Sequence, residues 1–108
     1  MALPTLTPET RAAALEKAAR LRQERAAVKA RLKSSTGSRA DEIRRLLGEV
    51  DESEAVARLK VSAMLESLPG IGKVKAAQIM EEIGISPSRK MRGLGRHQAQ
   101  KLLDHFAD

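Results

Sequence analysis

The sequence predicts an all-α fold, a long basic N-terminal helix followed by a small helical core. Three observations carry this. No segment alternates apolar and polar residues with the two-residue period of a half-buried strand. From Glu9 to Thr36 neither Gly nor Pro interrupts a run rich in Ala, Arg, Lys, Glu, Gln and Leu, the strongest helix formers. Beyond Gly37, apolar residues recur at helical spacing between stops made of Gly, Ser and Pro.

Each element has a local cause. Leu6-Thr7-Pro8-Glu9 opens the first helix: Thr7 can cap, Pro8 suits the first helical position, and Glu9 complements the helix dipole. Leu15 aside, its large apolar residues form only a thin seam, with Ala18, Leu21, Val28 and Leu32 on one narrow face that Arg25 shares. The C-terminal end of this helix is therefore expected to dock while its N-terminal half projects into solvent. Ser34-Ser35-Thr36-Gly37 ends it. Ser38 caps a second helix, with Asp41 at the capping-box position and Ile43, Leu46 and Leu47 inward, and Gly48 is expected to stop it. Glu52 to Leu59 reads as a short helix burying Val56 and Leu59. Lys60-Val61 links it to a further turn, Ser62 to Leu68. Pro69-Gly70-Ile71-Gly72 is a tight connection. Lys73 to Ile83 reads as a well-buried helix through Val74, Ala76, Ala77, Ile79, Met80 and Ile83, capped by a left-handed Gly84 with Ile85 as its apolar contact. Ser86-Pro87-Ser88-Arg89 predicts a short helical turn, and Met91 to Gly95 a second one. The last helix runs from about Arg96 to Phe106, burying Ala99, Leu102, Leu103 and Phe106. Residues 1–36 thus form an extension carrying the long helix, and residues 37–108 a compact core.

Composition narrows the function. A chain of 108 residues allows one compact domain and one extended element. Phe106 is its one aromatic residue, which excludes a platform that stacks bases on rings. The absence of Cys excludes disulfides, thiolate zinc sites and cysteine nucleophiles. No run approaches 18 apolar residues, and Met1-Ala2-Leu3-Pro4 does not start a signal peptide, so a soluble cytoplasmic protein without membrane contact is expected. The net charge is +6 and the pI about 10.2. That charge is segregated. Residues 1–45 carry a surplus of +6 and residues 69–101 one of +5, whereas residues 46–68 between them are at −3. Such blocks cost self-repulsion that mixed signs would avoid, and they point to a polyanionic partner.

Two constellations carry the chemistry. In Leu68-Pro69-Gly70-Ile71-Gly72-Lys73-Val74-Lys75, two glycines precede a helix whose first turn holds Lys73 and Lys75. Cations at a helix N-terminus are unfavourable by about 0.3–1 kcal/mol each, and an anion seated there reverses that sign. In Ser88-Arg89-Lys90-Met91-Arg92-Gly93-Leu94-Gly95-Arg96, four cations lie within eight positions, and no acidic residue occurs between Glu82 and Asp104. Met91 and Leu94 are read as anchors that fix the turn on the core, leaving Arg89, Lys90, Arg92 and Arg96 to project outward. Arg58 and Lys60 are added as further candidate contacts. His97 and His105 are eight apart, too far to share a metal on one helix, and Glu81-Glu82 is a solvated pair. No metal, cofactor, small-molecule substrate or catalytic constellation is expected.

The succession of helix, Gly-x-Gly turn, helix, two short turns and helix resembles the actinobacterial integration host factor family. It rests on Leu59-Lys60-Val61-Ser62, Leu68-Pro69-Gly70-Ile71-Gly72-Lys73, Ile83-Gly84-Ile85-Ser86 and Arg92-Gly93-Leu94-Gly95, and with the basic N-terminal helix it spans nearly the whole chain. The C-terminal part is also similar to the helix-two-turn-helix of a small-subunit ribosomal protein and of some DNA-repair glycosylases, and falls at about residues 72–107. The resemblance implies a nucleoid-associated protein that binds double-stranded DNA with little sequence preference and affects its bending, compaction or supercoiling. It would be a monomer in solution, with protein–protein contacts on DNA. It also implies a DNA-contacting turn at Arg89, Lys90, Arg92 and Gly93, with Gly70, Gly72, Lys73 and Lys75 at a neighbouring phosphate site. A structured-RNA or ribosome-associated protein is the alternative, because both ligands present phosphates. A glycosylase is excluded by the missing zinc ribbon and second domain, and by Ala2 where such enzymes need a proline after Met removal.

Overall fold

A computed structural model describes residues 7–107. Leu6 of the expected helix start, the Met1–Pro4 segment and Asp108 lie outside the described residues. The first helix, α1 (Pro8–Lys33), forms because Thr7 caps it, its Oγ1 accepting from the Thr10 amide at 3.0 Å, with Pro8 in the first turn. Arg31 and Lys33 in its last turn complement the dipole. Its seam is shorter than the spacing predicts: Leu21 and Leu32 are buried and Val28 is half-buried, but Ala18 is exposed because the helix has left the core before it. Every residue from Thr7 to Ala18 is exposed, so the first turns stand free.

Five shorter helices follow: α2 (Arg39–Glu49), α3 (Glu54–Arg58), α4 (Val61–Ser67), α5 (Lys73–Ile83) and α6 (Arg96–Phe106). A 3-10 turn, Met91–Gly93, lies between the last two. Helix α1 packs on α3 and α4, α2 on α6, and α4 on α5. Leu32, Ile43, Leu46, Met64, Leu65 and Leu102 are wholly buried where these layers meet. Arg31 reinforces the α1 contact through a two-pronged ion pair with Glu49, at 3.3 and 3.0 Å. The radius of gyration is 16.1 Å and the extents are 53 × 32 × 25 Å. A compact chain of this length would have a radius of about 13 Å, and the excess comes from α1, about 39 Å long at 1.5 Å per residue.

Several local expectations are corrected. Gly48 does not stop α2, which continues to Glu49; nothing lies within 4 Å of a Cβ placed there, so Gly48 acts as an ordinary exposed helical residue. The Ser38 cap bonds the Asp41 amide at 3.4 Å, but the Asp41 carboxylate turns to Arg44 at 2.8 Å, so the capping box is only half made. Val74 is 72% exposed, and Ala77 is exposed too. The reason is geometric: at 100° per residue Val74 lies opposite the buried face of Ala76, Ile79 and Met80. Ser86–Arg89 forms a single hydrogen-bonded turn, closed by the Arg89 amide on the Ser86 carbonyl at 3.0 Å, not a helical segment. Gly84 does cap α5, with φ +89° and Ile85 buried beside it.

Candidate nucleic-acid interface

The basic turn after α5 is built inward before it is built outward. Met91 is buried and anchors it, and Leu94 packs partly buried against the same core. Two backbone hydrogen bonds then join the turn to the link between α3 and α4: the Val61 amide donates to the Arg89 carbonyl at 2.9 Å, and the Met91 amide donates to the Leu59 carbonyl at 2.8 Å. They make Lys60 and Lys90 an isolated antiparallel bridge, the single such pairing among the described residues. A point of pairing this short leaves no period-two signature in the sequence.

The bridge decides which cations meet. Lys90 and Lys60 line one concavity, of about 370 Å³, together with Arg58, Arg25 and Lys29. Arg25 and Lys29 come from α1, one turn apart on the side that faces the core. Sequence reasoning missed them as site residues, although Arg25 interrupting the apolar seam was the available signal. Arg58 is partly committed elsewhere, since it pairs with Glu54 at 3.0 Å, and Glu54 also meets Lys17 at 3.6 Å. A second concavity, contiguous through Lys90, is lined by Ser86, Ser88, Arg89, Arg92 and Gly93. Arg92 and Lys90 are exposed there.

Arg89 does not simply project outward. It is half-buried, and its Nη1 donates to the Gly93 carbonyl at 2.9 Å, bracing the turn. A Cβ at position 93 would come within 3.1 Å of Arg89 Cδ, so Gly93 is what lets this brace lie flat. Arg96 is exposed at the start of α6, where the Gly95 amide donates to Gln98 Oε1 at 3.1 Å and Gln98 Nε2 reaches the Gly84 carbonyl at 3.0 Å.

The Pro69–Gly72 turn forms a separate polar recess at the other end of α5. Gly70 has φ +81°, a left-handed conformation that glycine takes without strain. Arg39, a residue sequence reasoning also missed, fixes this turn: its Nε and Nη2 both donate to the Pro69 carbonyl, at 3.0 and 2.6 Å. Lys75 and Arg39 line the recess with Ser38 and His105, whereas Lys73 lines a different, mostly apolar groove. Gly72 caps α5 with no side chain bonded to the first-turn amides. The structure thus gathers Arg58, Lys60, Arg89, Lys90, Arg92 and Gly93 on one continuous basic surface and places Lys75 in the second recess, which Gly70 and Gly72 do not line. Lys73 and Arg96 stand apart from both.

A fold of this kind has known counterparts. Residues 32–106 match the S13-like H2TH domain. Over 106 residues, 98% of its length, the chain is 56% identical to the integration host factor of Streptomyces coelicolor, covering 95% of that protein. It is 49% identical to the integration host factor of Mycolicibacterium smegmatis, over 98% of this chain and 97% of that one. A solved structure of sIHF bound to an 8 bp palindromic DNA superposes with a TM-score of 0.77 at 50% identity, covering 85% of this chain and 99% of that one. The chain belongs to the actinobacterial integration host factor family.

Proposed function

We propose that this protein binds double-stranded DNA as a nucleoid-associated protein, mainly through its phosphates and with little sequence preference. One observation carries the reading: the Lys60–Lys90 bridge draws cations from α1, the α3–α4 link and the basic turn into one surface. Side chains such as these neutralise phosphates without reading base edges. The DNA-bound sIHF relative supports the same ligand. In this reading residues 37–108 are the DNA-binding core, residues 1–36 add Arg25 and Lys29 to its surface, and the protein works at the nucleoid. Arg92 beside Gly93 can enter a minor groove, whose width it senses, and a surface that grips phosphates on two elements favours bent or compacted DNA.

Roughly four to seven phosphate contacts give a slope of log K against log salt of about −4 to −6. The test is a salt series on random duplex DNA, single strands and structured RNA, with wild type and an Arg89→Ala/Lys90→Ala/Arg92→Ala variant. The variant should lose roughly 10²- to 10³-fold affinity near 0.1 M salt on every duplex and show a flatter slope. Unchanged affinity refutes the residue assignment, and tighter binding to structured RNA than to duplex refutes the DNA reading.

A further inference from the structure

The free end of α1 and an apolar groove between α4 and α5 each lack a partner, and they complement each other. Residues 8–18 carry two basic and two acidic side chains, net zero, whereas residues 19–33 carry six basic and one acidic. The neutral end has no electrostatic reason to lie on a duplex. It is nonetheless built to stay helical alone: Thr7 caps it, Ala12-Ala13-Ala14 has the highest propensity, and it extends a helix already nucleated by docking. Leu15 on this peg and Val74 on α5 are the two exposed large apolar residues among those described, at 63% and 72%.

Helical spacing gives the peg a polarised face. Arg11 and Leu15 align along it and Arg22 continues the line just beyond it, while Glu9 and Glu16 lie about 100° or more from Leu15. Lys17, which meets Glu54, points to the docked side, so the Leu15 face looks away from the peg's own core. Between α4 and α5, Ala77, Met80, Ile85 and Pro87 form a mostly apolar groove of about 440 Å³, with Glu66 and Glu81 and a single lysine, Lys73, among its walls. Among the described residues neither these glutamates nor Arg11 and Arg22 take part in an ion pair.

We propose that the α1 peg of one molecule seats in the α4–α5 groove of a second copy, with Leu15 on the apolar floor and Arg11 and Arg22 facing Glu66 and Glu81. The two surfaces differ, so the contact is head-to-tail and propagates. Its small area makes it weak in free solution, and neighbours held on one duplex reach the effective concentrations, of the order of millimolar, at which it forms. Its role on DNA rests on the reading above, but the contact itself does not.

The absence of cysteine permits a test that needs no DNA. Leu15→Cys and Ala77→Cys proteins are mixed at about 0.5 mM and oxidised with diamide. The expected result is a mixed disulfide formed at least tenfold faster than either homodimer, and slowed to the homodimer rate when Glu66→Lys and Glu81→Lys are added. Equal rates of mixed and like pairs overturn the proposal, as does trapping insensitive to the charge reversals. On DNA, Leu15→Asp should remove cooperative filling of a 60 bp duplex while leaving affinity for a 10 bp duplex unchanged. Cooperativity that survives Leu15→Asp, or is absent from wild type, overturns the propagation along DNA; loss of binding to the short duplex by wild type would instead refute the DNA reading.

Discussion

The two turns that flank α5 are each braced by an arginine on a backbone carbonyl, yet by different routes. At Pro69–Gly72 the brace is Arg39, thirty residues away, bonding Pro69 twice while Gly70 holds a left-handed φ of +81°. At the basic turn the brace is Arg89, four residues from its Gly93 acceptor, and the turn is also held by buried Met91 and two backbone bonds to the 59–61 link. The first turn depends on tertiary closure of α2 over it. The second is over-determined, which frees the Lys90 and Arg92 side chains from holding it.

That contrast ranks the substitutions. Met91→Ala, by opening a cavity under the basic turn, should cost about 2–5 kcal/mol of stability in urea unfolding. A loss below 1 kcal/mol would mean the backbone bonds alone hold the turn. Gly70→Ala forces an L side chain to positive φ, where its Cβ meets Arg39 Nη2 at 2.8 Å, and should cost about 1–3 kcal/mol. Arg39→Ala removes two largely exposed hydrogen bonds, about 1 kcal/mol, and should raise amide exchange at Ile71 more than Arg89→Ala raises it at Met91 and Gly93. Equal effects would erase the distinction between the turns. The smallest contrast concerns binding alone: Lys60→Ala should flatten the salt slope by about 0.9, whereas Lys73→Ala, facing the apolar groove, should change it by less.

How legible this was in the sequence follows the range of the interaction involved. Caps and stops are local, so Thr7, Ser38, Gly84 and the bounds of α5 and α6 could be read directly. Met91 as an anchor was legible because an apolar residue inside a run of cations has little else to do. The Lys60–Lys90 bridge and the Arg39–Pro69 brace were not, because each joins segments thirty residues apart and ends on backbone carbonyls that every residue type shares. With the bridge unseen, Arg25 read only as a flaw in an apolar seam. Val74 escapes for a different reason: its apolar type suits a core, but its angular position in the first turn of α5 faces away from one.

The central claim is that α1 and the basic turn form a single track for phosphates. Salt titration of duplex binding by an Arg25→Ala/Lys29→Ala protein, with helicity checked by circular dichroism, tests it most directly. Two lost contacts should flatten the slope of log K against log salt by about 1.8 while the fold stays intact. A slope equal to wild type would show that the duplex never reaches α1, and the track would end at Lys60 and Lys90.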